Sequence, residues 1–257
     1  MGTERVIALG DLHGGHFGGL TPPKWHMSAR RSPAIARLQR ETWDWFVSKL
    51  QNARPKLLVV NADCIDGRGE RSGGTELITG DREEQCDIAT TALKLINAKN
   101  IIMTYGTPYH TGQEEDFENL IARELGCHIG AHVWPEVNGL VFDVKHKIGG
   151  SQTPHGRHTA TARDSLWNSL WARNGEQPKA DVIVRSHVHY YSYCGSSSWL
   201  AMTLPALQAA STKFGGRQCS GTVDFGYVDF TVNTKGEYVW HPELLHVKNT
   251  VAKVVKF

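Results

Sequence analysis

Aspartate and histidine residues recur in short motifs along most of this chain. The first motif joins Asp11 to His13 between two glycines, and the second places Asp63 and Asp66 in the run 61–67. Carboxylate and imidazole ligands together suit manganese, iron, zinc or nickel better than magnesium or calcium. A carboxylate has two oxygens, so Asp63 could bridge two ions. Each motif alone could be a polar turn, but together they indicate a metal site.

Three further motifs supply imidazoles. His110 closes the run 105–110, His146 closes a predicted strand, and His187 and His189 form a His-x-His pair. Residues i and i+2 of an extended segment face the same side, so this pair should point into one site. The chain contains 13 histidines, and a lone strand-end histidine is more often structural than a ligand. Their joint occurrence with the aspartates favours a single centre.

Short apolar runs precede these motifs and predict the elements that position them. Continuous apolar runs suit strands buried on both faces, and helical patterns lie between them. The apolar runs are 5–10, 57–60, 101–105 and 181–184. The helical patterns are 36–50, 81–98, 114–125 (with Gly126 as its C-cap) and 158–173. This alternation predicts an α/β architecture, in which ligands gather at the carboxyl ends of the strands.

The C-terminal part has a different pattern. A β-hairpin is predicted at about 222–246, with its turn at 233–236. With further strands at 140–147 and 199–204, a second and largely antiparallel sheet is expected. No linker or repeat divides the chain, so residues 1–257 are expected to form a single domain.

Composition restricts the class of protein. Hydrophobic residues make up 40% of the chain and charged residues 21%, as in ordinary globular proteins. The net charge of +2 does not require a polyanionic partner. Five cysteines without CxxC spacing argue against a disulfide framework. With no signal peptide or membrane span, the expected location is the cytoplasm, or the host cytoplasm if the chain is phage-encoded.

The ordered motifs resemble those of the calcineurin-like metallophosphoesterases over residues 5–190. They are most similar to the phosphoesterases of bacteriophages and prophages, which share the Gly-Leu-x-Pro-Pro run at 19–23 and a Gly-Thr-x-x-His third motif. The resemblance implies a four-layer αββα sandwich of two mixed β-sheets flanked by helices, the metallo-dependent phosphatase fold. It also implies two divalent ions, with manganese favoured, and a metal-activated hydroxide that hydrolyses phosphate esters.

The resemblance also implies a role for each motif residue. One metal would be held by Asp11, His13, Asp63 and His189. The second would be held by Asp63, His146 and His187. Thr107 stands where the family has a ligand asparagine, and His110 comes two residues later than expected. We expect His110 to be catalytic and Asp66 to orient it and favour its cationic form. The alternative is that His110 replaces the asparagine as a ligand.

The substrate class follows less directly from the sequence. A phosphodiesterase is expected, and a nuclease is one such enzyme. The segment 14–40 interleaves basic residues with Trp25 and His26, which could grip a nucleic-acid backbone and stack a base. A solvated helix face is the alternative for that segment. Gly67 directly follows Asp66, where protein phosphatases of the family have arginine, which disfavours that class. A phosphomonoesterase and a non-catalytic metal-binding scaffold remain alternatives. No membrane partner is expected, and the oligomeric state is open.

Overall fold

The structure is a computed structural model and describes residues 2–112, 116–209, 223–247 and 256. Its strands in these ranges are β1 (Thr3–Leu9), β2 (Leu57–Val60), β3 (Ile101–Thr104), β4 (His128–Gly130), β5 (Glu136–Val137), β6 (Leu140–Val144), β7 (Val182–Arg185), β8 (Ser192–Ser196), β9 (Trp199–Thr203), β10 (Phe225–Asn233) and β11 (Tyr238–Leu245). Its helices are α1 (Pro33–Leu50), α2 (Arg82–Lys94), α3 (Pro108–Thr111), α4 (Glu118–Leu125) and α5 (Thr159–Arg173).

The first sheet has the strand order β11-β10-β1-β2-β3-β4. β1 to β4 run parallel, with Ile7 opposite Leu58 and Val59 opposite Ile102. Because β1, β2 and β3 are connected through helices, their carboxyl ends lie on one edge of the sheet, here called the rim. The hairpin β10–β11 extends this sheet antiparallel to β1. Residue 222, where the hairpin was predicted to begin, lies outside the described residues.

The second sheet has the order β5-β6-β7-β9-β8. β6, β7 and β9 are parallel, and only the edge strands β5 and β8 are antiparallel to their neighbours. The expectation of a second, largely antiparallel sheet is therefore wrong. α5 carries the chain back between β6 and β7, which is the crossover that parallel pairing requires. The hairpin that suggested an antiparallel sheet belongs to the first sheet instead.

The two sheets pack face to face between helices. Alternate residues of β1 point in opposite directions, so Val6 and Ala8 face the second sheet while Ile7 and Leu9 face the helices. The inner layer includes Phe142, and the outer layer of the first sheet is formed by α1, α2 and α4. α5 covers the other face of the second sheet. The protein is thus a four-layer αββα sandwich with two mixed sheets.

Two helix boundaries follow from local chemistry. Asp81 caps α2 by accepting hydrogen bonds from the backbone N–H groups of Glu83 and Glu84. Gly126 ends α4 with φ of 64°, a left-handed conformation that glycine adopts without steric cost, as predicted. Residues 114 and 115 of the predicted helix 114–125 lie outside the described residues.

α5 packs against its sheet through polar groups. Its buried residues are Thr161, Ser165 and Asn168, and the Asn168 amide bonds Asp143 of β6 at 3.3 Å. Asp143 also accepts a 2.7 Å hydrogen bond from the buried Arg185 guanidinium. This charged pair needs hydrogen-bonding partners, which accounts for the polar inner face of the helix. The outer face is instead apolar: Leu166, Trp167, Leu170 and Trp171 are exposed.

No helix within the described ranges is long and apolar enough to cross a membrane. The described cysteines are all free. They are Cys64, Cys86, Cys127 and Cys194.

Candidate metal centre

The loops after β1 and β2 are joined by backbone hydrogen bonds beyond the ends of the strands. Asp11 N–H donates to Ala62 O at 2.9 Å, and His13 N–H donates to Asp63 O at 3.0 Å. These bonds continue the parallel pairing of the two strands and hold both predicted motifs side by side. Asp11 and Asp63 are 0 and 1% exposed, so the two carboxylates are buried together at the rim.

The second sheet contributes the histidines of the later motifs to the same rim. Ser186, after β7, donates its N–H to His146 O at 2.9 Å, which ties the ends of β6 and β7 together. His187 N–H donates to Asp11 Oδ2 at 3.1 Å. The predicted ligands from both sheets therefore converge, although they come from four separate loops.

The first donor group is Asp11, His13 and His189, with ligand atoms that lie within 4.8 Å of one another. His189 Nε2 lies 3.3 Å from Asp11 Oδ1 and 3.2 Å from His13 Nε2. His13 Nδ1 donates to the Asp66 carboxylate at 2.9 Å, so in the neutral ring the lone pair is on Nε2. That lone pair points into the group.

The second donor group is Asp63, His146 and His187. His146 Nδ1 donates to the backbone carbonyl of Asn61 at 2.9 Å, because a carbonyl can only accept. Its Nε2 is then an acceptor in the neutral ring, yet it lies 2.9 Å from Asp63 Oδ2. Two acceptors face each other at this distance only when a cation, either a proton or a metal ion, lies with them.

A buried carboxylate oxygen is a further sign that these residues fit a metal ion. Asp11 Oδ1 is buried and has no hydrogen-bond partner among the described residues. An orphaned buried carboxylate oxygen is costly unless a cation or donor compensates it. Carboxylate with imidazole is the donor set expected for manganese, iron or zinc.

Asp66 binds a different histidine from the one expected. Its carboxylate accepts from His13 Nδ1 at 2.9 Å, whereas His110 Nδ1 donates to the Asp66 backbone carbonyl at 2.8 Å and lies 3.8 Å from the carboxylate. The carboxylate therefore orients His13, a predicted ligand. His110 belongs with His13 and Asp66 to a third donor group, and its ring makes an edge contact with the His13 ring at 4.6 Å.

Thr107, which stands in place of the family's asparagine, binds Asp63. Its backbone N–H donates to Asp63 Oδ1 at 2.7 Å, and its hydroxyl lies 3.3 Å from both carboxylate oxygens. The neighbouring Gly106 permits this approach, since a Cβ there would overlap the Asp63 carboxylate and backbone. The third motif thus holds the Asp63 carboxylate in place.

Glu118 is a residue of the site that the sequence analysis missed. Its carboxylate is fully buried at the start of α4 and accepts from Cys64 N–H and Gly106 N–H, both at 2.8 Å. It therefore joins the loops after β2 and β3 directly behind Asp63. An acidic residue in the first turn of a helix is usually an exposed cap, so no sequence signal distinguished it.

The backbone at the site is unusual. Six of the ten described non-glycine residues with positive φ lie in the motifs. They are Asp11, His13, Ala62, Asp63, His187 and His189. Such conformations cost about 1–3 kcal/mol each and cluster at functional sites. The predicted extended His-x-His segment is therefore wrong: φ values of 75° and 56° direct His187 and His189 into different donor groups.

Electrostatics link the two donor groups. Burial opposes ionisation of Asp11, but His189 and His146 more than offset it and lower the pKa of Asp11. Burial likewise opposes ionisation of Asp63, yet His146 holds the pKa of Asp63 far below its usual range. Burial lowers and Asp63 raises the pKa of His146, to about 10 overall. A proton on His146 can thus take a metal ion's place.

The pKa of His110 is shifted in the direction opposite to the one expected. Burial lowers the pKa of His110 first, and the neighbouring His13 lowers it further. Asp63 and then Asp66 raise the pKa of His110, but they oppose this effect only in part. Asp66 thus favours the cationic form of His110 as expected, but burial and His13 outweigh it, and the net shift favours the neutral ring.

The loops 14–33 and 67–80 pair with each other beside the site. Phe17 N–H donates to Glu76 O at 2.9 Å, and Ile78 N–H donates to Gly15 O at 2.7 Å. His16 lies in this layer with one ring nitrogen accepting from Gly18 N–H at 3.0 Å. Burial lowers the pKa of His16 to about 4, so it is neutral in this environment.

No family model and no curated protein matches the sequence. Solved structures with some similarity include Vps29 of Cryptosporidium parvum (13% identity, TM-score 0.48, 95% of this chain and 98% of that chain). Others are zinc-complexed Vps29 of Entamoeba histolytica (10%, 0.46, 93% and 98%) and an archaeal phosphodiesterase (13%, 0.43, 93% and 99%). At these identities and TM-scores the likenesses carry no argument about function.

Proposed function

We propose that this protein is a metal-dependent phosphoesterase of the calcineurin-like type with a dinuclear centre. One observation carries the proposal: two donor groups of carboxylate and imidazole share a buried rim where acceptors face acceptors. A binding scaffold has no need for such a costly polar cluster. The order of the motifs along the chain and the αββα sandwich agree with this class.

The first ion would be held by Asp11, His13 and His189, the second by His146 and His187, with Asp63 between the two. When bound, two such ions supply Lewis-acid stabilisation of phosphoryl charge and activate water for attack on phosphorus. Manganese is the ion we favour for this donor set, with iron, zinc and nickel as alternatives.

The protein's own residues position these ligands. The Asp66 carboxylate fixes the ring of His13, the Asn61 carbonyl fixes the ring of His146, and Thr107 fixes Asp63. Partners of this kind set the tautomer and orientation of a ligand. Buried, aligned groups also need little reorganisation during reaction, which is the main contribution a protein makes to phosphoryl transfer.

His110 is the residue we propose to act on the substrate. Its Nδ1 donates to the Asp66 carbonyl, so its Nε2 is free in the neutral ring, and its ring lies beside His13. The lowered pKa of His110 keeps it neutral near pH 7, when it can accept a hydrogen bond or take up a proton. Ligation of an ion by His110 is the competing role.

We propose a phosphodiester as the substrate, which distinguishes this protein from the phosphomonoesterases. The third motif differs from that of the family's protein phosphatases, and Gly67 occupies their arginine position. The Gly-Thr-x-x-His motif further suggests kinship with the phage and prophage phosphoesterases. That kinship is an inference from the motifs alone.

The test compares bis-p-nitrophenyl phosphate with p-nitrophenyl phosphate, using protein stripped of metal and then supplied with Mn²⁺. We expect Mn²⁺-dependent cleavage of the diester that is lost in His189→Ala and retained in His241→Ala, whose side chain is 72% exposed. Preferential cleavage of the monoester would instead support a phosphomonoesterase. Bound metal without turnover of either ester would support a non-catalytic scaffold.

A further inference from the structure

A cluster of unpaired cations lies next to the metal-binding loops. Its members, here called the basic surface, are Lys24, Arg30, Arg31, Arg37 and Arg40, and all five are exposed. Within the described part of the chain, no carboxylate lies within 4.0 Å of any of them. Arg5, Lys49 and Lys94, by contrast, each have an acidic partner at 2.5–2.8 Å. None of the five cations of the basic surface therefore has a close acidic partner among the described residues.

The topology places the basic surface at the rim. α1 leads from the carboxyl end of β1 back to the start of its parallel neighbour β2. The helix must therefore run antiparallel to both strands, and its first turns lie at the rim end. Arg37 and Arg40 belong to these first turns, and their spacing of three puts them on one face of the helix. Arg30 and Arg31 precede the helix at the same end.

Hydrogen bonds tie the basic surface to the loop that carries His13. Gln39 is 0% exposed and accepts from Met27 N–H at 2.7 Å while donating to Phe17 O at 3.1 Å. Phe17 lies four residues after His13. One buried amide therefore links the basic segment, the first turns of α1 and the first metal-binding loop, and these parts should move together.

α1 begins without the groups that stabilise a helix N-terminus. Its first turn has no acidic residue and its N-cap makes no side-chain hydrogen bond, unlike α2, which begins with Asp81, Glu83 and Glu84. Cations near a helix N-terminus oppose the helix dipole, and nearby like charges repel one another. An external polyanion would relieve both effects.

We propose that the basic surface binds the phosphodiester backbone of a nucleic acid and delivers it to the metal centre. This inference rests on the proposed function and names its substrate class. Arg37 and Arg40 are three residues apart on α1, so one face of the helix presents two guanidinium groups to such a backbone. Arginine side chains contact phosphate oxygens well through paired N–H groups.

Recognition of this kind is independent of sequence. Trp25 is the only aromatic residue in the segment 24–40, and its ring is covered by Lys24 Nζ at 4.6 Å while its Nε1 donates to Glu84 at 3.0 Å. It is therefore engaged within the protein and not free to stack on a base. Binding should depend on phosphate contacts and fall steeply with salt.

The test uses two variants with the same change in net charge. The surface variant carries Glu in place of Arg30, Arg31, Arg37 and Arg40. The control variant carries Glu in place of Lys99, Arg123, Arg173 and Lys235, which are also exposed. The Mn²⁺-loaded proteins are compared in binding to phosphorothioate oligothymidylate, which resists cleavage, and in turnover of bis-p-nitrophenyl phosphate.

We expect the surface variant to bind the oligonucleotide at least about tenfold more weakly than the control variant, with a shallower dependence on salt. Turnover of the small diester should stay within about twofold in both variants, since it needs no extended backbone. Equal oligonucleotide binding by both variants, or no binding by the wild type, would overturn the inference. The inference would also be overturned if the wild type bound phosphatidylglycerol vesicles and the surface variant did not, while neither protein bound the oligonucleotide.

This design separates two failures. If no protein cleaves the small diester, the proposed function fails, but the two binding curves still decide whether the basic surface holds nucleic acid. If the small diester is cleaved and the binding curves coincide, the enzyme stands and the substrate class is wrong. Glu in place of Arg30 and Arg31 favours the helix dipole, whereas Glu in place of Arg37 and Arg40 lies four residues before Glu41 and Asp44. Thermal unfolding of the wild type and both variants checks that all three proteins are folded before their binding is compared.

Discussion

The two sheets contribute chemically different halves to the metal centre. The first sheet supplies both carboxylates and one imidazole, from Asp11, Asp63 and His13, each no more than 2% exposed. The second sheet supplies only imidazoles, from His146, His187 and His189. His146 is as buried as the carboxylates, whereas the His189 side chain is 20% exposed.

The difference shows why neither half is a site alone. Two buried carboxylates side by side repel each other and lose hydration, so the first half is unstable without positive charge. The second half supplies lone pairs or protons but no fixed negative charge. Only the packing of one sheet on the other brings the carboxylates and the imidazoles together at one site.

The largest effect is expected from the carboxylate half. Asp63→Asn removes the charge that faces both His146 and Thr107. We expect kcat/KM for bis-p-nitrophenyl phosphate to fall by more than about a hundredfold and bound metal to be lost, since even outer partners of a metal site are worth 10–100-fold. Asp87→Asn, an exposed position on α2, is the matched control. Normal turnover by Asp63→Asn would contradict the role of Asp63.

A smaller effect is expected from the imidazole half. His187 is partly exposed, so His187→Ala removes one ligand without leaving a buried charge. We expect about a hundredfold loss of activity at low Mn²⁺ that high Mn²⁺ partly restores. Activity measured against Mn²⁺ concentration tests this. If high Mn²⁺ restored the activity of Asp63→Asn as well as that of His187→Ala, the proposed difference between the carboxylate half and the imidazole half would be wrong.

Asp66→Asn tests which histidine depends on Asp66. Because its carboxylate binds His13, we expect metal affinity to fall about tenfold. Metal content and kcat, measured separately, discriminate between the two histidines. A lower kcat with full metal content would mean that Asp66 acts through His110, as the sequence alone suggested.

Glu118→Gln tests the support behind the carboxylate half. Burial and then Asp63 raise the pKa of Glu118 from 4.5 to about 8. Between these two pH values the folded protein keeps a proton on Glu118 that the unfolded chain has released. Stability of the metal-free protein should therefore fall as pH rises from about 4.5 to about 8, by roughly 1.4 kcal/mol per pH unit. Denaturant unfolding at several pH values should show a flatter profile for Glu118→Gln. Identical slopes would refute this account.

Thr107→Val should have the smallest effect. The hydroxyl lies 3.3 Å from the Asp63 oxygens, whereas the shorter backbone bond from Thr107 is retained in the variant. Loss of one neutral hydrogen bond costs about 1 kcal/mol, or roughly a fivefold fall in kcat/KM. Thr107→Ser keeps the hydroxyl and should behave like the wild type. A loss as large as that of Asp63→Asn would make Thr107 itself a ligand.

Much of the fold was readable from local pattern. The apolar runs 57–60 and 101–105 coincide with β2 and β3 to within a residue, and Gly126 ends α4 as predicted. The sheet to which the hairpin belongs was not readable, because its alternating pattern suits any sheet with one exposed face. The extended His-x-His pair was wrong because the tertiary contacts of the rim impose positive φ values that histidine rarely adopts alone.

The sequence by itself determined the types of donor and the elements that carry them, because hydrophobic period, turn residues and helix caps act over a few neighbouring residues. The tertiary structure decided which donors meet. His13 and His189 are 176 positions apart along the chain, and Asp63 and His146 are 83 apart. Glu118 and the Asp66–His13 pair became visible only in three dimensions. Contacts at such separations depend on how two sheets pack, which no local pattern encodes.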